Sequence, residues 1–231
     1  MKRVAILQSS YIPWKGYFDI IASVDEFVLY DSVQYTKDWR NRNKIKTPNG
    51  PQWLTIPVHH KFSNLIQDVH TTNTTWKKDH WKSIQRNYSK SKHFSEIKDH
   101  VESLYEQCHH TRLSDINRYF LSHICEMIGI NTPITDSSQY KHEGDRNQKL
   151  LMICQAAGAD TYLSGPAAKQ YLDVDLFAKN NIQVEWMDYS NYLPYTQPWG
   201  DFIHEVSIID LLFNEGDNAI RFMKANHIKN I

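Results

Sequence analysis

The chain has 231 residues, and its 26 Lys and Arg balance 26 Asp and Glu, so the formal charge is zero. That balance excludes a global electrostatic pull toward nucleic acid or an anionic membrane, while leaving room for a local basic patch. Hydrophobic residues make up 41% and aromatic residues 13%, enough for a real core. No stretch approaches the ~20 apolar residues that a bilayer span needs. The first residues, Met1 to Gln8, turn polar after one short apolar run and lack the h-region of a secretory signal. Cys108, Cys125 and Cys154 cannot all pair and show no CxxC spacing. The expectation is a soluble, reduced, cytoplasmic protein.

In chain order, residues 2–8 form a β-rich run. Residues 14–24 carry apolar positions at helical spacing (Tyr17, Ile20, Ile21, Val24), and residues 26–30 return to a continuous apolar run. Strand, helix and strand in this order predict a βαβ unit with parallel strands. Both strands are apolar throughout, as a sheet covered on both faces requires. Residues 31–58 begin as a polar, aromatic loop. They continue as a predicted hairpin: residues 43–47, the turn Pro48-Asn49-Gly50, then residues 53–57. A segment of this length placed after a strand end is more often functional than decorative.

Residues 76–129 have helical periodicity throughout. Trp81, Ile84 and Tyr88 share one face; Ile97, Val101, Leu104 and Tyr105 a second; Ile116, Phe120 and Ile124 a third. Thr111 to Ser114 supply capping residues and Gly129 a stop. Strands at 132–135, 161–164 and 182–187 then alternate with helices at 147–157, 166–172, 207–213 and 218–223. The expected architecture is α/β: a Rossmann-like parallel sheet with an inserted helical subdomain and a β-hairpin. It is expected to form a single domain over residues 1–231, with the helical insertion at 76–129.

Ligands of open parallel sheets sit beyond the carboxyl ends of the strands. Those ends fall near Gln8, Asp31, Ser164 and Asp188, and each is polar. The first loop combines Gln8, Ser9 and Ser10 with Tyr11, Trp14 and Gly16. A helix N-terminus with small hydroxyl residues can hold an anion; the plainer reading is a helix entry capped by Ser10 with Pro13 at its first position. Residues 35–46 set Lys37, Arg40, Arg42, Lys44 and Lys46 against Asp38 alone, with Tyr35 and Trp39 interleaved. Arg grips a diphosphate bidentately and Lys adds a point charge. In an uncharged protein this concentration suggests a phosphorylated small ligand, or else a solvated charged face. Ser164-Gly165 ends a later strand, where glycine lets a ligand approach the backbone closely; Ser164 can equally cap the helix that begins at Pro166.

Twelve histidines are present, but no HExxH, Cys/His quartet or 2-His-1-carboxylate spacing, so no metal ligands are assigned. Residues 55–58 can deliver His59 or His60 to the cleft as a general base. The GxSxG elbow, Walker A and GxGxxG patterns are absent. Cys125 and Cys154 lie on apolar helix faces, as small buried hydrophobes do.

Gln8–Phe18 (QSSYIPWKGYF), residues 31–44 (DSVQYTKDWRNRNK), 53–57 (WLTIP), 160–165 (DTYLSG), Tyr171-Leu172-Asp173, Tyr195-Thr196-Gln197 and 207–214 (SIIDLLFN) together resemble the WbqC-like family. The matches run in order over nearly the whole chain. The family more often has Gln-Pro where Gln8-Ser9 stands here. The resemblance implies a place in bacterial O-antigen and related surface-polysaccharide biosynthesis. It implies transfer of an acyl or aminoacyl group, such as glycyl, to the amine of a nucleotide-linked dideoxy amino sugar. No bound cofactor is expected; the donor would be a thioester on a phosphopantetheine carrier protein or coenzyme A. On that reading Lys37, Arg42 and Lys44 clamp the diphosphate, and Tyr11 or Trp39 stacks on the base. Gln34 and Asp31 orient the sugar, with Ser10, Trp14, Ser164, Gly165 and Tyr171 completing the substrate contacts. Asp31, His59 or His60 accepts the amine proton, and Gln8 or the backbone at Ser164-Gly165 stabilises the oxyanion.

Two other readings stand beside it. The order strand, polar loop, helix, strand is also that of adenylating ligases of the nucleotidyltransferase type, although their HIGH-like histidines are missing from residues 10–16. A non-catalytic scaffold of the same pathway would use Trp76, Trp81, Tyr88 and Tyr105 to dock a carrier protein or a second subunit; ordinary helix packing explains the same residues. All catalytic readings require the stretches near positions 8, 31–44 and 164 to converge on one hollow.

Overall fold

The computed structural model describes residues 1–61 and 63–224. Strand β1 (Arg3–Leu7) leads through a loop into helix α1 (Lys15–Ala22) and strand β2 (Glu26–Leu29). The hairpin follows as β3 (Arg42–Thr47) and β4 (Gly50–Thr55), then a short ribbon of β5 (Val58–His59) and β6 (His70–Thr71). Helices α2 (Thr75–Tyr88), α3 (Phe94–Gln107) and α4 (Leu113–Met127) come next. The chain then alternates: β7 (Ile134–Asp136), α5 (Arg146–Ala156), β8 (Thr161–Ser164), α6 (Val174–Lys179), β9 (Gln183–Trp186) and α7 (Ile208–Glu215).

The central sheet has the order β7-β2-β1-β8-β9, and every neighbouring pair is parallel. The chain builds outward from β1 on one side, then crosses over to β8 on the other. The order therefore reverses between β1 and β8, which opens a crevice at their carboxyl ends. Alternating side chains divide the core in two. Ala5, Phe27 and Leu29 join the cluster that includes Ile84 of α2, Ile116 of α4 and Phe213 of α7. Val4, Ile6 and Val28 point to the other face, against Leu150 and Ile153 of α5 and Phe177 of α6. Among the described residues no helix is long and apolar enough to cross a membrane.

Three local expectations change. Residues 166–172 and 218–223 form 3-10 turns, Pro166–Gln170 and Gly216–Phe222, in place of α-helices. Neither Ser10 nor Ser164 caps a helix: the residues at those N-caps are Trp14 and Gly165, with no side-chain cap bond. Helix α6 was not expected. Its six residues are too few to show a period, and its start depends on Asp173 accepting the Leu176 N–H.

Two buried polar networks tie the layers together. Asp210 of α7 accepts hydrogen bonds from the Tyr88 and Tyr195 hydroxyls, both at 2.7 Å, and from Gln197 Nε2 at 2.9 Å. Tyr88 Oη in turn accepts the Lys46 N–H, and Gln197 Oε1 accepts from Lys46 Nζ. Thus α2, β3, α7 and the loop before α7 meet at one carboxylate, whose pKa burial raises. The motif residues Tyr195, Gln197 and Asp210 hold the fold together.

In the second network, His80 Nδ1 lies 2.9 Å from Tyr11 Oη and Nε2 lies 3.2 Å from the Thr55 carbonyl, while the Tyr11 and Tyr105 hydroxyls are 2.8 Å apart. With Nε2 donating to Thr55, Nδ1 accepts from Tyr11, so the neutral ring is fully paired. Burial lowers the His80 pKa to about 4. The unfolded chain therefore binds more protons between pH ~6.5 and ~4, and stability falls as pH drops through that window. A shift of this size corresponds to about 3 kcal/mol. Asp31 and Asp210, both raised by burial, act in the opposite sense: their protonation favours the folded state as pH falls. The comparison that isolates the histidine is urea unfolding at pH 7 and pH 4.5 for the wild type and for His80→Gln. The variant is expected to lose less stability between the two pH values.

Candidate active-site cleft

The loop after β1 is held in an unusual shape. Ile12 is fully buried at φ +34°, a conformation that a β-branched residue rarely adopts. Asn43 Nδ2 donates to the carbonyls of both Tyr11 (3.1 Å) and Ile12 (3.0 Å), and the Tyr11 N–H donates to the Trp39 carbonyl. Local strain of this kind persists only where the surroundings over-determine it. Here the hairpin and the segment leading into it fix the first loop.

The same segment places Arg40. Its guanidinium donates to Ser10 Oγ at 2.9 Å and to Gln8 Oε1, and its Nε lies 3.7 Å from Asp38. From behind, Asn117 of α4 donates to the Arg40 carbonyl and to Ser9 Oγ, each at 2.9 Å. Arg40 thus sits at the junction of two hollows beyond the ends of β1 and β8, a polar lobe of about 660 Å³ and an apolar lobe of about 500 Å³. They share Leu7, Arg40, Gly165 and Ala167.

The polar lobe is lined by Gln8, Gln34, Thr36, Ser164 and Tyr171, with three cations: Arg40, Arg146 and Lys149. Among the described residues no carboxylate lines it. Arg146 is the first residue of α5 and Lys149 lies one turn later. Cations there oppose the helix macrodipole, and acids are the favoured occupants. The helix instead secures its start with Asp145 and Gln148, which form a capping box. Arg146 lies 4.5 Å over the Tyr171 ring. Two basic groups set against the dipole, beside Arg40 and neither of them in an ion pair among the described residues, form a site for a multiply charged anion.

The apolar lobe is walled by Pro13, Trp14, Tyr17, Trp39, Pro166 and Tyr189. Trp14 packs edge-on against Tyr189 at 5.2 Å, and Trp39 is 41% exposed at the mouth. Glu205 is the one carboxylate among the described residues lining either lobe. Gly165 separates the lobes with an ordinary φ of −70°. A Cβ there would meet only the Tyr189 hydroxyl, at 4.0 Å.

The structure brings together Gln8, Ser10, Trp14, Gln34, Trp39, Ser164, Gly165 and Tyr171. It separates the others from the cleft. Tyr11 is wholly buried against His80, Tyr105, Trp76 and Phe120, so it offers no face to a base. Asp31 is 1% exposed and accepts the Ser9 N–H at 2.8 Å, with burial raising its pKa; it lines neither lobe. His59 is exposed in the β5–β6 ribbon opposite His70, and the His60 ring packs 4.9 Å from Tyr35. Lys37 is exposed. Arg42 and Lys44 lie on the outer face of the hairpin over the Trp53 ring, at 4.3 and 5.0 Å. Alternation along β3 explains this placement: Asn43 and Ile45 turn inward and the intervening cations turn out. Trp76, Trp81, Tyr88 and Tyr105 are buried core residues, so they present no docking face. Burial pushes the Cys125 and Cys154 thiols up to about 12, away from nucleophilic use.

Sequence reasoning missed Arg146, Lys149 and Glu205, and it left Arg40 out of the clamp. One signal was available for Arg146: a cation directly after the N-cap Asp145, where the dipole favours an acid.

A family model described as "WbqC-like protein family" matches residues 8–222. The chain belongs to the WbqC-like family. Among curated proteins it is 47% identical to "Uncharacterized protein Rv1507c" of Mycobacterium tuberculosis over 227 residues, covering 97% of this chain and 98% of that protein. No solved structure matches. The family match takes in the cleft residues from Gln8 to Glu205.

Proposed function

We propose that this WbqC-like protein transfers an acyl or aminoacyl group from a thioester to the amine of a nucleotide-linked amino sugar. The strand order, which reverses between β1 and β8, is in our reading Rossmann-like. The observation that carries the proposal is the cationic lobe of Arg40, Arg146 and Lys149, lined by no carboxylate among the described residues, opening directly onto an aromatic lobe lined by one. A diphosphate fits the first, with its nucleoside beside Tyr171 and Gln34. A deoxy sugar, largely apolar, fits against Trp14 and Trp39, with its amine at Glu205. The surface-polysaccharide context comes from the family resemblance, as does the choice of a thioester donor on a carrier protein or coenzyme A.

In the reaction, Glu205 accepts the proton of the sugar ammonium, and the neutral amine attacks the thioester carbonyl. Arg40 occupies the Gln8 amide oxygen, so the Gln8 Nε2–H groups remain to donate to the tetrahedral oxyanion. Collapse breaks the C–S bond, the leaving thiolate takes up the second proton from the now cationic nitrogen, and the neutral amide and a thiol remain. The donor is already activated, so placing the two reactants supplies much of the acceleration. This role for Glu205 replaces Asp31, His59 and His60, which lie outside the cleft.

The deciding experiment supplies purified protein with a glycyl or acyl thioester and a uridine or thymidine diphosphate amino sugar, and follows amide formation by mass spectrometry. Absence of an amide with every donor would remove the reading. Release of pyrophosphate from ATP would point to an adenylating ligase instead. Gly165→Val provides a further check, because its side chain enters the junction of the lobes while its backbone stays ordinary. It is expected to keep wild-type stability within about 0.5 kcal/mol and to weaken nucleotide-sugar binding at least tenfold by calorimetry.

A further inference from the structure

A separate groove of about 500 Å³ lies at the far end of the hairpin, between its turn and the C-terminal half of α2. Lys82, Arg86 and Lys90 line it, one cation per helical turn, with Lys90 just past the end of α2. Asn49 and Gln52 of the hairpin form one wall, where Gln52 Nε2 donates to Ser83 Oγ at 3.1 Å. Trp199 forms the other, its indole N–H donating to the Asn87 carbonyl at 3.4 Å. Among the described residues no carboxylate lines the groove, and none of the three cations makes an ion pair.

Like charges four residues apart repel one another on a helix. The negative end of the α2 dipole compensates Arg86 and Lys90, but it does not account for a hairpin wall and an indole enclosing them. The three charges span eight residues, about 12 Å at the helical rise. One phosphate is too small to satisfy such a row. A helix bearing acids at the same four-residue spacing matches it.

We propose that this groove docks an acidic amphipathic helix of a partner protein that carries the donor thioester. The proposal rests on the acyl-transfer reading and names its partner. Position favours a donor on a flexible tether. Asn43 lines the aromatic lobe and Thr47 lines the groove, four residues apart along β3, or roughly 13 Å. A partner seated in the groove reaches the lobe only through an extended arm such as phosphopantetheine. The donor is then a carrier-bound thioester, with coenzyme A at best a poor substitute.

Two measurements test this. In the first, isotope-labelled protein is titrated, by NMR, with a synthetic helix-forming peptide bearing Glu at every fourth position, and separately with inorganic phosphate. The peptide is expected to shift the amides of residues 82–90 and the Trp199 indole. Its affinity should fall at least tenfold between about 50 and 300 mM salt, and it should be lost in the triple variant K82E/R86E/K90E. Nucleoside diphosphate binding in the main cleft should not change in that variant. The proposal is overturned if phosphate alone saturates these resonances while the peptide does not. It is equally overturned if the peptide shifts residues around Arg40 and Arg146, or binds the triple variant as tightly as the wild type. The second measurement is amide formation: the triple variant should lose turnover with a carrier-borne thioester and keep its rate with a small synthetic thioester. Peptide docking without amide from any donor leaves the groove assigned and removes the transfer reading. Amide formation indifferent to the charge reversal removes the groove and leaves transfer standing.

Discussion

Arg40→Met should weaken binding of a nucleoside diphosphate amino sugar by about 100-fold or more, measured by calorimetry, whereas Lys37→Met should change it less than twofold. A hydrogen bond from a charged group is worth about 1.5–3 kcal/mol, and a guanidinium meeting a diphosphate makes two. Arg40 also fixes Gln8 and Ser10, so its loss blurs the lobe that remains. Some stability goes with it, because Ser10 and Gln8 lose their donor; circular dichroism separates that loss from the binding defect. Both residues belong to one basic run in the sequence, and only one faces the cleft. Equal effects from the two substitutions would mean that charge near the hairpin matters and the cleft does not.

Asp210→Ala should cost about 3 kcal/mol or more of unfolding free energy, read as a lower urea midpoint with an unchanged slope. The Tyr88 and Tyr195 hydroxyls would be left inside the protein without their acceptor, while the Gln197 amide keeps the Ile203 carbonyl, and each such orphan costs about 1–3 kcal/mol. Against a total stability of about 5–15 kcal/mol, the variant should be poorly folded at 37 °C. A midpoint within error of the wild type would show that water or a shifted side chain replaces the carboxylate, and that the network is not what joins α7 to the hairpin.

The parallel sheet was legible because β1 and β2 are apolar on both faces and later strands alternate with helices, and the hairpin because Asn49-Gly50 divides two extended runs. Family motifs pointed to residues without telling anchors from ligand contacts: Gln8 and Gly165 line the cleft, whereas Tyr11, Tyr195 and Asp210 are internal. Strand alternation decided the fate of the basic run, and a composition count cannot register which way Arg42 and Lys44 face once Asn43 turns inward. Arg146, Lys149 and Glu205 were illegible for another reason. Arg146 and Lys149 reach the cleft from a crossover helix and Glu205 from the segment after β9, all more than a hundred residues beyond Arg40, and only the strand order places them there. Asp31 misled because a carboxylate at a strand end resembles a general base; in the fold it braces the Ser9 amide.

The paired hydrogen bonds from Asn43 to the strained Ile12 loop have a consequence for selectivity. The hairpin is pinned at one end by that amide and at the other by Lys46 within the Asp210 network, so it behaves as a rigid post, not a flap. The gap between Trp14 and Trp39 is consequently a gauge of fixed width. Compounds would be sorted there by girth before any chemistry begins, and a wider gauge would require loosening Asn43 or trimming the ring at its rim.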